Sequence, residues 1–223
     1  MLTAWLIQDG AAFELPHAFS LVAHFTFAVT GALAALRRGY DVVGVFFLAV
    51  TTAIGGGLIR DGILISSGPA SILTDGTTLA VVMAAPLLSL FFHPVLARLE
   101  RAIAVIDAAG LGAFAVYGAQ RSLNAGLSVP AAIMGGTITA VGGGLLRDVL
   151  TREEPLLLKP GQFYALVAIG GCCLYLGLPR LGWMQPDDAA NVTIVAVFAV
   201  RMLAIRFNWR TTALRLRPPA SPP

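Results

Sequence analysis

One ten-residue stretch occurs twice in this chain and limits what it can fold into: Thr52-Ala53-Ile54-Gly55-Gly56-Gly57-Leu58-Ile59-Arg60-Asp61 and Thr139-Ala140-Val141-Gly142-Gly143-Gly144-Leu145-Leu146-Arg147-Asp148. Both copies lie late in long apolar segments. Glycine keeps the most backbone freedom and disfavours a helix by roughly 1 kcal/mol per residue relative to alanine, so three in a row weaken it. In a bilayer, backbone groups loosened in this way must be buried in protein or line a watery cavity. Interrupted helices at matching places in two halves therefore point to an ion or substrate path near the midplane. Close helix packing through small residues is the alternative, because glycine serves that as well. Two copies, each followed at the same spacing by Arg-Asp, favour the path.

The surrounding composition sets the solvent. Of the 223 residues, 57% are hydrophobic and only 12% charged, against about 25% charged in an average soluble domain. This is the composition of an all-α integral membrane protein. The first basic residue is Arg37, so the start lacks the positive charge of a signal peptide, and the first apolar helix is expected to stay in the mature chain. Cys172 and Cys173 are adjacent, which suits neither a routine disulfide nor a metal site, and they read as small core hydrophobes. The basic residues fall near membrane ends and form no patch with interleaved aromatics, which argues against nucleic acid as a partner. There is no Cys-His-Asp set at sensible depth, no phosphate loop ending in Gly-Lys-Ser/Thr and no His-Glu-x-x-His, so neither enzyme chemistry nor a cofactor or metal is expected.

In order, residues 1–15 form a mixed lead with Asp9 and Glu14. The first span runs from Pro16 to about Leu36, long enough to cross a core of about 30 Å. The second covers about Asp41 to Ile65 and holds the first triplet, with Ser66-Ser67-Gly68-Pro69 as its turn. The third, about Asp75 to Phe92, is expected to kink at Pro86 and stop at His93-Pro94, before a connector with Arg98, Glu100 and Arg101. The fourth, about Ala102 to Ser122, holds Asp107, Tyr117, Gln120 and Arg121. Ser128 is the expected N-cap of the fifth, with Pro130 in its first turn. A sixth span covers about Gly161 to Leu178 and a seventh about Ala189 to Phe207. A basic, proline-rich tail occupies 208–223.

Sliding the first half onto the second by 87 positions superposes Phe27-Ala28-Val29 on Phe114-Ala115-Val116 and Gly31-Ala32 on Gly118-Ala119, as well as the motif. The expected organisation is a three-helix repeat over 16–100, a second over 101–180 and a seventh helix over 181–207. An odd number of spans per unit makes the second repeat inverted relative to the first. One side of this arrangement collects ten basic residues, Arg37, Arg38, Arg98, Arg101, Arg152, Lys159, Arg206, Arg210, Arg215 and Arg217, and the other only Arg121 and Arg180. The bias places the C-terminus in the cytoplasm and the N-terminus outside, in a multi-pass protein of the inner (plasma) membrane.

Each triplet then lies roughly 14 residues, or about 21 Å, into its span. Gly55, Gly56, Gly57, Gly142, Gly143 and Gly144 are the expected kinks, with freed carbonyls offering negative dipole ends to a cation. Arg60-Asp61 and Arg147-Asp148 are expected at the outer and inner mouths of the path as gates, the alternative being snorkelling anchors. Thr51, Thr52, Thr137 and Thr139 are candidate lining groups, although a threonine hydroxyl can satisfy itself on the preceding turn. Asp107, Tyr117 and His24 are further candidates, Asp107 because a lone carboxylate in a span is costly unless paired or wet.

At these residues the chain resembles the prokaryotic members of the trimeric intracellular cation (TRIC) channel family. The doubled Gly-Gly-Gly-x-x-Arg-Asp motif and the two three-helix repeats followed by a seventh helix carry the resemblance, over about Pro16 to Phe207. It implies a homotrimer with one pore per subunit, bounded by second and fifth helices that bend at the glycines, in contact with membrane lipid and conducting monovalent cations, chiefly potassium. Some proteins similar at this motif are regarded as transporters of glycine or another small amino acid, so the motif specifies scaffold better than cargo.

Overall fold

The computed structural model describes residues 16–65, 69–155, 157–158 and 163–209. The expected lead over 1–15, the Ser66-Ser67-Gly68 turn, Lys159 and the tail from 210 lie outside the described residues. Seven long α-helices organise the rest: α1 (His17–Arg37), α2 (Val42–Ile59), α3 (Gly76–Arg98), α4 (Glu100–Asn124), α5 (Val129–Leu150), α6 (Tyr164–Arg180) and α7 (Pro186–Arg206). A π-helical stretch, Arg60–Ile65, extends α2, and a single helical turn, Ser71–Thr74, precedes α3. No strand occurs among the described residues.

Among the described residues, five stretches are long and apolar enough to cross a membrane: His17–Arg37, Val42–Ile65, Gly76–Leu96, Val129–Leu150 and Pro186–Arg206. Helix α6 is apolar but shorter, and α4 carries Asp107 and Arg121 in its length. Large apolar side chains such as Val43, Phe47, Ile63, Phe91 and Val195 point away from the bundle. Such a surface is stable facing lipid and costly facing water.

Several local expectations are corrected. Helix α3 runs through Pro86 without leaving helical geometry, and its one distorted residue is Phe92, at φ −113° and ψ 17°. That residue lies just before Pro94, whose missing N–H and bulky ring disturb the preceding turn; the helix nevertheless continues to Arg98, so the expected stop at His93-Pro94 is a kink. Ser128 has the extended backbone of an N-cap, but its side chain makes no capping bond. Asp41 and Asp75 do cap, accepting from Gly44 N at 2.8 Å and Thr77 N at 3.0 Å. Cys172 is buried and Cys173 exposed, both as free thiols, so only the first is a core residue.

The largest correction concerns the triplets. Gly55, Gly56 and Gly57 are α-helical within α2, and Gly142, Gly143 and Gly144 are α-helical within α5. The α-helical ladder changes only at Arg60, where the π turn begins, and the Arg60 N–H still reaches the Gly56 and Gly57 carbonyls. Packing explains the glycines instead. α2 and α5 pack against each other at the centre, flanked by α1 on α2 and α4 on α5. A Cβ on Gly56 would stand 2.6 Å from the Thr139 carbonyl oxygen, and one on Gly142 would stand 2.8 Å from the Gly56 Cα. A Cβ on Gly143 would collide with the Thr52 carbonyl oxygen, and one on Gly55 with the Leu146 side chain. Gly57 has only the Arg60 guanidinium nearby, at 4.0 Å, and Gly144 has open space.

Contacts recur at the sequence spacing of 87. Gly31 abuts the Thr52 hydroxyl as Gly118 abuts that of Thr139. Thr52 Oγ1 donates to Leu48 O and Thr139 Oγ1 to Gly135 O, both at 2.6 Å.

Gly143→Ala is therefore expected to force the two helices apart and lower stability by about 1–3 kcal/mol, the usual cost of overpacking. Gly144→Ala is expected to be neutral or stabilising, by up to about 1 kcal/mol from helix propensity. Thermal unfolding of the detergent-solubilised protein distinguishes the two.

Candidate functional site

The α2–α5 crossing separates two cavities. The first, of 490 Å³, is lined by the N-terminal part of α1 (His17, Ser20, His24), by Ile54, Gly57 and Arg60 of α2, and by the C-terminal part of α4 (Phe114, Tyr117, Gln120, Arg121, Asn124). The second, of 380 Å³, is lined by the C-terminal part of α1 (Phe27, Thr30, Leu33, Ala34, Arg37), by Val141, Gly144 and Arg147 of α5, and by Ala104 and Asp107 of α4. Many residues of the two linings correspond at the same spacing of 87: Ile54 with Val141, Gly57 with Gly144, Arg60 with Arg147, Phe27 with Phe114, Thr30 with Tyr117 and Ser20 with Asp107. Along α5, Thr139 lines the first cavity and Val141 the second, as expected of residues on opposite faces of one helix.

In the first cavity Arg60 is 2% exposed and donates from Nε to Asp61 Oδ1 at 2.7 Å. Its Nη1 donates across to Thr139 Oγ1 on α5 at 3.2 Å, and its guanidinium lies 5.2 Å from the Tyr117 ring centre. Arg121 Nε reaches the same Asp61 oxygen at 3.4 Å. One buried carboxylate thus holds two guanidinium groups, which keeps a charge cluster tolerable away from water. His24 faces Phe114 edge-on at 4.9 Å, with Nδ1 2.8 Å from Ser20 O. At the rim, Asp75 takes the Thr78 hydroxyl at 2.5 Å. That bond, followed by the Thr78 and Thr77 backbone N–H groups, holds its carboxyl below the ordinary carboxylate range.

The second cavity holds Arg147, which donates from Nε and Nη2 to Asp148 Oδ1 at 3.0 and 2.8 Å. Asp107 receives the Tyr164 hydroxyl at 3.4 Å, and Arg201 of α7 lies 4.7 Å from the Tyr164 ring centre. At the rim, Arg38 Nη2 pairs with Glu153 at 2.7 Å.

The expected site residues therefore divide. His24, Gly57, Arg60, Tyr117 and Thr139 line the first cavity; Asp107, Gly144, Arg147 and Asp148 line the second. Asp61 sits behind Arg60 as its counter-ion. Gly55, Gly56, Gly142 and Gly143 form the crossing, and Thr52, whose carbonyl meets Gly143, belongs with them. Thr51 lies near Gly55 on the first half's helix, and the Thr137 hydroxyl turns to Ile133 O at 2.8 Å; neither is among the residues of the two linings. Sequence reasoning passed over Arg201 and Tyr164. The rule that singled out Asp107, an ionisable group inside an apolar span, applies equally to Arg201. Arg121, counted there as a topology signal, is a cavity residue.

A helical membrane protein with paired polar cavities meeting at a glycine crossing is the class this geometry defines, and comparisons with known proteins narrow it. The chain belongs to the family described as Glycine transporter, whose model matches residues 17–94 and 104–180. The two matched segments start 87 positions apart, at 17 and 104, the spacing of the internal repeat. Relatives include the UPF0126 inner membrane protein YadS of Escherichia coli, 32% identical over 217 residues and covering 97% of this chain and 98% of that one. A UPF0126 membrane protein of Deinococcus radiodurans is 36% identical over 172 residues, 77% of each chain. Among solved structures, a TRIC cation channel studied for the structural basis of conductance matches with a TM-score of 0.85 at 31% identity, over 92% of this chain and 100% of that one. The TRIC trimeric intracellular cation channel orthologue from Rhodobacter sphaeroides matches with a TM-score of 0.77 at 30% identity, over 86% and 98%. The chain is a multi-pass membrane protein with a TRIC-like fold.

Asp61→Asn should leave Arg60 as an uncompensated buried charge and cost about 3–5 kcal/mol, whereas Arg121→Gln, at a partly exposed pair, should cost under about 1 kcal/mol; chemical denaturation in detergent measures both. Because the folded-state pKa of Asp75 is lowered, its capping contribution is present above the unfolded value of about 3.9 and lost as pH falls through the folded value. Asp75→Asn should therefore flatten the acid limb of a melting-temperature profile.

Proposed function

We propose that the chain is a cation channel in which each subunit carries its own route, running from the first cavity past the α2–α5 crossing into the second. The observation that carries this reading is the pair of corresponding cavities, each with the third glycine of its triplet and its own Arg-Asp pair, held apart by the α2–α5 crossing. Seven spans, with the second three-helix unit inverted relative to the first, put the first cavity outside and the second in the cytoplasm. That orientation follows the basic-residue bias and leaves the N-terminus outside and the C-terminus inside. The similarity to TRIC cation channels supports cations as the cargo. Potassium suits the lining, because hydroxyls and paired carboxylates supply weak, multiple contacts that a large monovalent ion can exchange quickly. The proposed assembly is a homotrimer in lipid, a reading supported by the name of the Rhodobacter sphaeroides orthologue, which calls that protein trimeric.

Arg60 and Arg147 take the role of gates. Each is tied to the neighbouring aspartate, and Arg60 also bridges the partition to Thr139. In the present state the crossing is shut by the backbone contacts of Gly56 and Gly143, and conduction requires them to slide apart. Gly57 and Gly144 need not move, since their role is to leave the cavity floor bare.

A second reading, a carrier for glycine or another small amino acid, is favoured by the family description and by two cavities on either side of one crossing, the layout that alternating access uses. Planar-bilayer recording beside radiolabelled glycine uptake separates them. The channel is expected to show unitary, ohmic potassium currents and no saturable glycine flux; saturable flux without unitary steps would overturn it. Gly57→Leu and Gly144→Leu are expected to fill the cavities and bring the currents to baseline while the folded oligomer survives; full-sized currents in both variants would remove the cavities from the route.

A further inference from the structure

Five arginines line the two cavities: Arg37, Arg60, Arg121, Arg147 and Arg201. Four of them spend their charge locally. Arg60 and Arg121 share Asp61, Arg147 pairs with Asp148, and Arg37 has a partner as well. Arg201 differs. It is 6% exposed, its Nε and Nη1 are buried without any hydrogen-bond partner, and its guanidinium rests over the Tyr164 ring at 4.7 Å. The Asp107 carboxylate attracts it through space and is itself bonded to the Tyr164 hydroxyl.

A guanidinium held over an aromatic face is fixed in place, and one whose buried nitrogens lack hydrogen bonds to protein oxygens leaves its field in the adjoining cavity. No other arginine in the two linings stands in this condition. The residue has no counterpart in the first cavity, because α7 lies outside the internal repeat. The lining of the second cavity carries three arginines against four carboxylates, Asp107, Asp148, Glu153 and Glu154. Arg201 thus sets how negative the inner cavity is.

Resting on the channel reading, we propose that Arg201 is a specificity-determining residue: a fixed positive charge in the inner cavity that holds divalent cations below monovalent ones. A potential set by a wall charge acts on an ion in proportion to that ion's own charge. Removing one unit charge about 10 Å from the route, at an effective dielectric constant of ~20, multiplies monovalent occupancy by about tenfold and divalent occupancy by the square of that factor. The ratio of divalent to monovalent permeation therefore rises by about tenfold.

The test uses the full chain in planar bilayers with potassium on one side and barium on the other, reading reversal potentials for wild type, Arg201→Gln and Arg201→Lys. Arg201→Gln is expected to raise the barium-to-potassium permeability ratio by about tenfold, and Arg201→Lys, which keeps the charge and loses the planar fork, to leave it near wild type. An unchanged ratio in Arg201→Gln overturns the proposal. An equal rise in both variants also overturns it, because packing and not charge would then be responsible. Melting temperatures in barium against potassium chloride at matched ionic strength supply an arm that needs no current, in which Arg201→Gln gains more from barium than wild type does. If wild type is silent in the bilayer the channel reading fails, and this second arm still decides whether Arg201 excludes divalent ions from the cavity; equal barium shifts in wild type and variant overturn that role.

Discussion

The rest of the structure depends on how closely α2 and α5 approach each other. With Gly56 against the Thr139 and Ile138 carbonyls and Gly143 against that of Thr52, the two backbones come into direct contact, as only residues without a Cβ allow. Lipid tails are as apolar as leucine, so no hydrophobic force drives two helices together in a bilayer; contact of this quality must come from shape. Once the crossing is set, α1 and α4 can lie on its two sides only with opposite ends at each cavity. The corresponding linings follow from that placement.

Helical periodicity explains why a triplet does two jobs. Successive residues are about 100° apart around the axis, so two adjacent glycines can straddle a contact line while the third turns away from it. The third, Gly57 or Gly144, then shares its face with the arginine three positions on, since residues three and four apart are neighbours on a helix. Hence Arg60 and Arg147 meet the cavities their own glycines open. The π turn that begins at Arg60 has no counterpart in α5, and it accompanies deeper burial of the first arginine than of the second. Tyr117 lies under Arg60, where the corresponding residue of the second cavity is Thr30, and the ring offers a face that a threonine lacks.

Charge is handled differently in the two cavities. In the first, a single carboxylate, Asp61, accepts from both guanidinium groups, a compact arrangement that suits a site away from water. In the second, Arg147 has its own aspartate and a seventh helix adds Arg201 and no carboxylate of its own to the lining. The seventh helix therefore makes an otherwise matched pair of cavities unequal.

Much of this was legible in the chain alone. Composition required a membrane, the spacing of 87 required paired units, and the doubled motif pointed to the two helices that matter, because apolar runs and repeats are properties of consecutive residues. The limits of α1, of α2 with its π-helical extension and of α7, and the start of α5, fall within a few residues of the expected ones for the same reason. The role of the glycines was not legible: a run that weakens a helix and a run that lets two helices touch have the same letters, and only a neighbouring backbone at Gly56 and Gly143 decides between them. The assignment of His24, Tyr117 and Thr139 to one cavity and Asp107 to the other, the sharing of Asp61 by Arg60 and Arg121, and the isolation of Arg201 over Tyr164 all join residues far apart in sequence. Which side chain ends up without a partner is set by packing in three dimensions, and the tertiary structure alone determined it.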